Sequence, residues 1–207
     1  MKKNILLILI TLFATMCNAQ NKFDLQKLTF KEDPKELLKD RKKHADPAEG
    51  MTTLPAYLTD EVNGFSYGSA SFTAGGENGP TDMDKSNISF VLNSVAEKKI
   101  VGLIIRIEKT IEAKKLDDYI SHSFTKPSVL SNVPKPNRDG EKLGQAAYLY
   151  RNIQPGVSMI KSVEYSLKDK KPATALIVYI IKNDAVPSPN VTGFKTVLDR
   201  MIKSFAN

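Results

Sequence analysis

Val157-Ser158-Met159-Ile160-Lys161-Ser162-Val163-Glu164-Tyr165-Ser166-Leu167 puts Val157, Met159, Val163, Tyr165 and Leu167 on one face, with Lys161 the single exception to the alternation. A period of two is the signature of a strand with one buried face. Lys168-Asp169-Lys170-Lys171-Pro172 then turns the chain. It returns as Ala173-Thr174-Ala175-Leu176-Ile177-Val178-Tyr179-Ile180-Ile181, apolar on both faces and rich in β-branched residues. Such a run belongs in the middle of a sheet, where neither face meets water.

The same pattern recurs upstream. Ala146 to Asn152 carries Tyr148 and Tyr150 on one face. Asn87 to Asn93 alternates through Ile88, Phe90 and Leu92, and Ile100 to Ile107 is apolar on both faces. These two read as a hairpin whose second strand is central. Phe65 to Phe72 is predicted as a further strand, entered by an Asn63-Gly64 turn, its small residues allowing close backbone neighbours. Thr73 to Asn87, broken by Gly75-Gly76, Gly79-Pro80 and Asp82-Met83-Asp84, is predicted as a loop, as is Ser128 to Gly140 with Pro134 and Pro136.

Three helices complete the pattern. Asp33-Pro34-Lys35-Glu36 has the cap, proline and acid of a capping box, predicting a short, lightly packed helix over 34–43. Thr110 is expected to cap a second, with Leu116, Tyr119, Ile120 and Phe124 as its buried side. Phe194, Val197, Leu198, Met201, Ile202 and Phe205 form one helical stripe over 190–205. The order α, β, ββ, α, βββ, α keeps strands in runs rather than alternating them with helices. That predicts an α+β fold: a mainly antiparallel sheet of about five to seven strands, helices on one face, and helix 190–205 across the sheet. The closing Arg200-Met201-Ile202-Lys203-Ser204-Phe205 is similar to the last helix of small sheet-plus-helix domains of the PsbP kind. That resemblance, over six residues, implies a helix lying across an antiparallel sheet.

The first twenty residues carry an address. Lys2 and Lys3 precede an apolar run from Ile5 to Ala14, and small residues stand at Cys17 and Ala19 before Gln20. This is the layout of a secretory signal peptide over 1–19, cut at Ala19/Gln20. Cys17 could alternatively be a lipidation site, but Met16 stands where a lipobox has a small residue. The remainder, 20–207, is expected to be a single α+β domain that opens with a polar segment over 20–50. The signal's lysines and the Gln after the cut resemble exported proteins of Gram-negative bacteria. The expectation is therefore a periplasmic or secreted protein with no transmembrane span in the mature chain.

Composition removes several chemistries. The chain has 207 residues, 41% hydrophobic and 26% charged, so it can bury a core and is not disordered by composition. Its one cysteine lies in the signal, which leaves no thiol nucleophile and no disulfide in the mature chain. His44 and His122 stand far apart, with no His-Glu-x-x-His or Cys-x-x-Cys, so no zinc site is expected. Gly75-Gly76-Glu77-Asn78-Gly79 lacks the Lys-Ser/Thr ending of a phosphate loop. Asp82, Asp84 and Ser86 have the first spacings of a calcium loop, but Asn87 and Asn93 replace its glycine and its final glutamate. No metal or cofactor is expected.

Catalysis has two residual routes. His122 could act as a base with Asp118 one turn earlier and Ser121 or Ser123 beside it, though no Gly-x-Ser-x-Gly elbow exists. Carboxylate pairs at Asp60/Glu61, Asp82/Asp84 or Asp117/Asp118 could do acid/base work. All sit in polar runs that read as solvated surface. Residues 97–207 carry net charge +8 and residues 50–96 net −4, an asymmetry that reads first as solvated surface. No aromatic-interleaved basic motif is present, so nucleic acid is not expected as a partner. The sequence thus predicts an exported, non-enzymatic domain that binds a small molecule or an envelope partner through a sheet face or the 73–87 loop. The alternative is a hydrolase on envelope or extracellular polymers, using His122 or a carboxylate pair.

Overall fold

A computed structural model describes residues 22–46, 48–73, 85–168 and 171–206. The signal segment with Cys17, and Asp82 and Asp84 of the 73–87 loop, lie outside the described residues. Among the described residues, eleven strands and three α-helices follow in chain order: β1 (Phe23–Asp24), α1 (Pro34–Leu37), β2 (His44–Asp46), β3 (Ala56–Thr59), β4 (Phe65–Tyr67), β5 (Ala70–Ser71), β6 (Asn87–Leu92), β7 (Ile100–Ile107), α2 (Thr110–Ser123), β8 (Ser128–Ser131), β9 (Gly144–Gln154), β10 (Val157–Lys168), β11 (Lys171–Lys182) and α3 (Val197–Ala206).

The main sheet has eight strands in the order β2-β3-β6-β7-β11-β10-β9-β8. Every neighbouring pair in it is antiparallel. A second, three-stranded sheet β1-β4-β5 is mixed, with β1 parallel to β4. The protein is therefore more strand-rich than the sequence suggests. The added strands are short and lie mostly at edges, where few residues are committed to a period of two.

The two runs that are apolar on both faces, β7 and β11, pair with each other at the centre of the eight. Their amide protons are expected to be the slowest to exchange with solvent, because opening them requires the whole sheet to open. Fast exchange across Ala175–Ile181 would contradict this pairing.

Two-sided strands need cover on two sides, and this corrects the expected placement of helices on one face. Phe90, Leu103, Ile105, Val178, Ile180 and Met159 face α2 through Leu116 and Ile120, together with Leu25, Leu38, Phe65 and Tyr67 from the N-terminal third. Val91, Ile104, Ile177, Tyr179, Ile160 and Leu149 face α3 through Val197, Leu198, Met201 and Phe205. The α3 helix touches both β11 and β8, which flank β10 and β9, so it does run across the strands.

Four elements differ from the sequence expectation. The helix over 34–43 stops at Leu37: Asp33 Oδ1 accepts from the Lys35 N–H at 2.8 Å, but Leu38 turns into the core. The charged residues after it have no apolar stripe to hold them helical. Phe65–Phe72 is a hairpin rather than one strand. Its turn is Gly68, at φ +56, whose N–H bonds Asp24 Oδ1 at 3.0 Å and whose missing side chain leaves room for the Tyr119 ring. The expected loop 128–140 begins with edge strand β8. The C-terminal helix starts seven residues late, because Gly193 sits at φ +85 and Thr196 Oγ1 accepts from the Asp199 N–H at 3.1 Å as the true cap. Phe194 stays outside the helix, under Lys203. In α2 the cap position is Lys109, with Thr110 the first helical residue.

Candidate functional site

Lys161 breaks the alternation of β10, so its side chain points to the α2 face among apolar neighbours. Burying an ammonium there demands a partner. Asp117 of α2 supplies it: Lys161 Nζ lies 2.5 Å from Asp117 Oδ1, and it donates to Ser121 Oγ at 3.3 Å. The Tyr148 ring, on the residue directly across the β9–β10 ladder, lies 5.2 Å from the same nitrogen. Such a contact favours the charged amine. Burial pulls the Lys161 pKa down, yet the Asp117 carboxylate, aided by Tyr150, outweighs it and holds the amine above the ordinary lysine range. Lys161 is therefore a fixed cation. It cannot take a proton from Ser121 near neutrality, so the two do not form a base–nucleophile pair.

The Lys161 side chain is 9% exposed and that of Asp117 is 43% exposed. The lysine thus anchors the acid from below while the acid stays accessible. Asp117 lines a cleft of about 190 Å³ between α2 and the β10–β11 hairpin. Thr110 and Ala113 form its helix side, and Val163, Thr174 and Leu176 its sheet side. Tyr165, two residues beyond Val163 on the same face, is half-buried, and its hydroxyl pKa is raised by burial and by the nearby Tyr148 and Asp117. An oriented carboxylate, an apolar floor and two partly exposed tyrosines therefore share one stretch of surface.

The residues singled out from the sequence fall elsewhere or are otherwise engaged. His122 lies at the exposed end of α2, with Nδ1 2.6 Å from the Asp118 backbone oxygen. The Asp118 carboxylate turns instead to Lys114 Nζ, at 2.7 Å and 3.0 Å. Ser121 faces Lys161, and Ser123 is exposed. The His122, Asp118 and serine side chains are thus not brought together. The pair Asp117/Asp118 is split between two lysines on different sides of the helix. Glu61 of the Asp60/Glu61 pair accepts from the Lys42 N–H at 3.2 Å. His44 is exposed in edge strand β2. Asn93 bonds Glu97 and the Lys99 N–H within the β6–β7 turn. Among the described residues no three His, Cys, Asp or Glu side chains gather as a metal site requires.

Two anchors frame the 73–87 loop. Thr73 donates to Glu112 through its N–H, at 3.1 Å, and through its hydroxyl. Ser86 Oγ accepts from the Glu108 N–H at 3.0 Å. Thr73 and Ser86 are thereby both held near the start of α2.

The sequence signal for the cleft was Lys161 itself, the one charged residue on the apolar face of β10. Its partner could not be read from sequence, because Asp117 is 44 residues away on an independent element. Comparison with protein-family models, curated proteins and solved structures finds no match for this chain.

Proposed function

We propose that this is an exported, non-enzymatic binding domain whose ligand rests in the cleft between α2 and the β10–β11 hairpin. Export is supported by the Lys2-Lys3 start, the apolar run and the Cys17-Asn18-Ala19 ending. Among the described residues no helix is long and apolar enough to cross a membrane. The observation that carries the binding reading is Asp117, pinned by the buried Lys161 and open to the cleft on its other side. A carboxylate fixed in this way accepts hydrogen bonds without first losing rotamer entropy. Tyr148 and Tyr165 offer amphipathic rings, flat apolar faces with polar tips. Together they suit a hydroxyl-bearing ring compound, such as a sugar unit of an envelope polymer.

The chain has no tryptophan, so the fluorescence of its seven tyrosines, Tyr148 and Tyr165 among them, is not masked by indole emission. Titration with oligosaccharide fragments of envelope polymers is expected to shift that signal saturably. Tyr165→Ala and Asp117→Asn should each weaken binding about tenfold, roughly 1.4 kcal/mol, with circular dichroism unchanged. Wild-type affinity retained in both variants would rule out this cleft as the site.

A further inference from the structure

A larger cleft lies away from Asp117, on the α1 side of the molecule. It measures about 520 Å³, between the 30–35 segment and the tip of the β6–β7 hairpin. Four lysines line it, Lys31, Lys35, Lys98 and Lys99, beside Glu32, Asp33 and Glu97. The acids are engaged within their own turns. Glu32 accepts from the Thr29 N–H and hydroxyl, both at 2.9 Å, and from the Lys31 N–H at 3.0 Å. Asp33 caps the Lys35 N–H. Glu97 takes the Asn93 amide at 2.6 Å and Lys99 Nζ at 3.4 Å. Lys31, Lys35 and Lys98 form no ion pair among the described residues, and all three residues line one concavity.

Backbone strain marks the same place from both walls. Phe30 has φ 64 and Lys98 has φ 56. Side chains other than glycine, asparagine and aspartate seldom adopt this left-handed region. Lys98 ends the hairpin turn, where its N–H bonds Ser94 O at 3.2 Å. Glycine meets that turn geometry without cost. A lysine there carries a backbone strain that glycine would relieve, and its side chain places a third cation on the cleft. Strain retained at a polar concavity points to a function for the strained side chain.

We propose that this cleft binds a doubly charged phosphate-type oxyanion, held by the ammonium groups of Lys31, Lys35 and Lys98. The site is independent of the Asp117 cleft and of the ligand proposed for it. Its ligand is either a soluble phosphoester or the headgroup of an anionic phospholipid, since both present the same oxygens to the three lysines.

Lys98→Gly separates this role from a structural one, because the two effects have opposite signs. Inorganic pyrophosphate, titrated calorimetrically at low ionic strength, is expected to bind saturably at one site. Lys98→Gly should weaken that binding at least fivefold and raise the melting temperature by about 2–4 °C as the backbone strain is relieved. Lys31→Ala and Lys35→Ala should weaken binding without raising the melting temperature, and Lys115→Ala, exposed on α2, should leave both unchanged. Sedimentation with phosphatidylglycerol vesicles, reversed by pyrophosphate, would identify a lipid headgroup as the source. Pyrophosphate binding without sedimentation would identify a soluble phosphoester. Absence of saturable pyrophosphate binding, or binding that Lys98→Gly leaves intact, would overturn the proposal.

Discussion

Leu198→Ala is expected to destabilise the protein by about 2–5 kcal/mol, the usual cost of truncating a buried leucine without full collapse of the cavity. Leu198 is 4% exposed and belongs to the stripe Val197, Leu198, Met201 and Phe205 that seals the second face of the sheet. Its neighbours cannot close in easily. Phe205 is held edge-on against Tyr179 at 5.6 Å between ring centres, and Arg200 reaches across to the Met51 carbonyl. For a chain of this size the loss should lower the melting temperature by roughly 5–15 °C. Lys203→Ala, on the exposed side of α3, should change it by no more than a degree or two, since Lys203 loses only its contact with Phe194. Thermal unfolding followed by circular dichroism separates the two variants. An unchanged melting temperature for Leu198→Ala would mean that α3 is not part of the folded core. The helix would then become the first surface to examine for a partner.

Ile100–Ile107 and Ala173–Ile181 announced central strands because a run apolar on both faces has only one place to go. The same fact already required cover on both sides. The order of elements alone places the helices on one face, whereas the number of apolar strand faces requires them on two. Short elements were the least legible. His44–Asp46 and Ala56–Thr59 have too few residues to show a period, and they become strands only because β6 offers Ala56–Thr59 a free edge and Ala56–Thr59 in turn offers one to His44–Asp46. Gly193 and Thr196 fixed the start of α3 against a helical pattern that continued through Phe194, so local backbone chemistry outweighed periodicity. The candidate cleft was half legible. Lys161 stood out as a charge in an apolar stripe, whereas Asp117 looked like one of many surface acids until α2 was laid over β10. The lysine-lined cleft was invisible, because nothing in the one-dimensional pattern brings Lys31 and Lys35 beside Lys98.

Three buried groups make stability sharply dependent on alkaline pH. Tyr67 is 1% exposed and Tyr179 7% exposed. Burial pushes both phenols well above the ordinary tyrosine range, Tyr67 further through Tyr119 and Asp24, Tyr179 further through Glu164 and Glu49. Lys161 is held above the lysine range by Asp117 against the opposing effect of burial. In the unfolded chain these groups titrate near their reference values, about 10 for tyrosine and about 10.4 for lysine. Below those values both states hold the same protons, so the three groups add no pH dependence there. Above them the unfolded chain releases protons that the folded chain retains, and stability falls as pH rises. Each group contributes a slope of about 1.4 kcal/mol per pH unit between its unfolded and its folded titration, so the two phenols together approach about 3 kcal/mol per unit, and Lys161 adds to this over the span of its own shift. Against a total stability of roughly 5–15 kcal/mol this is a large loss within about two units. Urea unfolding between pH 8 and 11.5 should therefore show a plateau to about pH 9.5 and a steep decline beyond it. Tyr67→Phe and Tyr179→Phe should each remove about one proton from that slope while keeping the ring in place. A stability that stays level through pH 11 would mean that both phenols and the Lys161 amine titrate freely in the folded protein, and neither the sealed sheet face under α3 nor the pinned Asp117 could then stand as drawn.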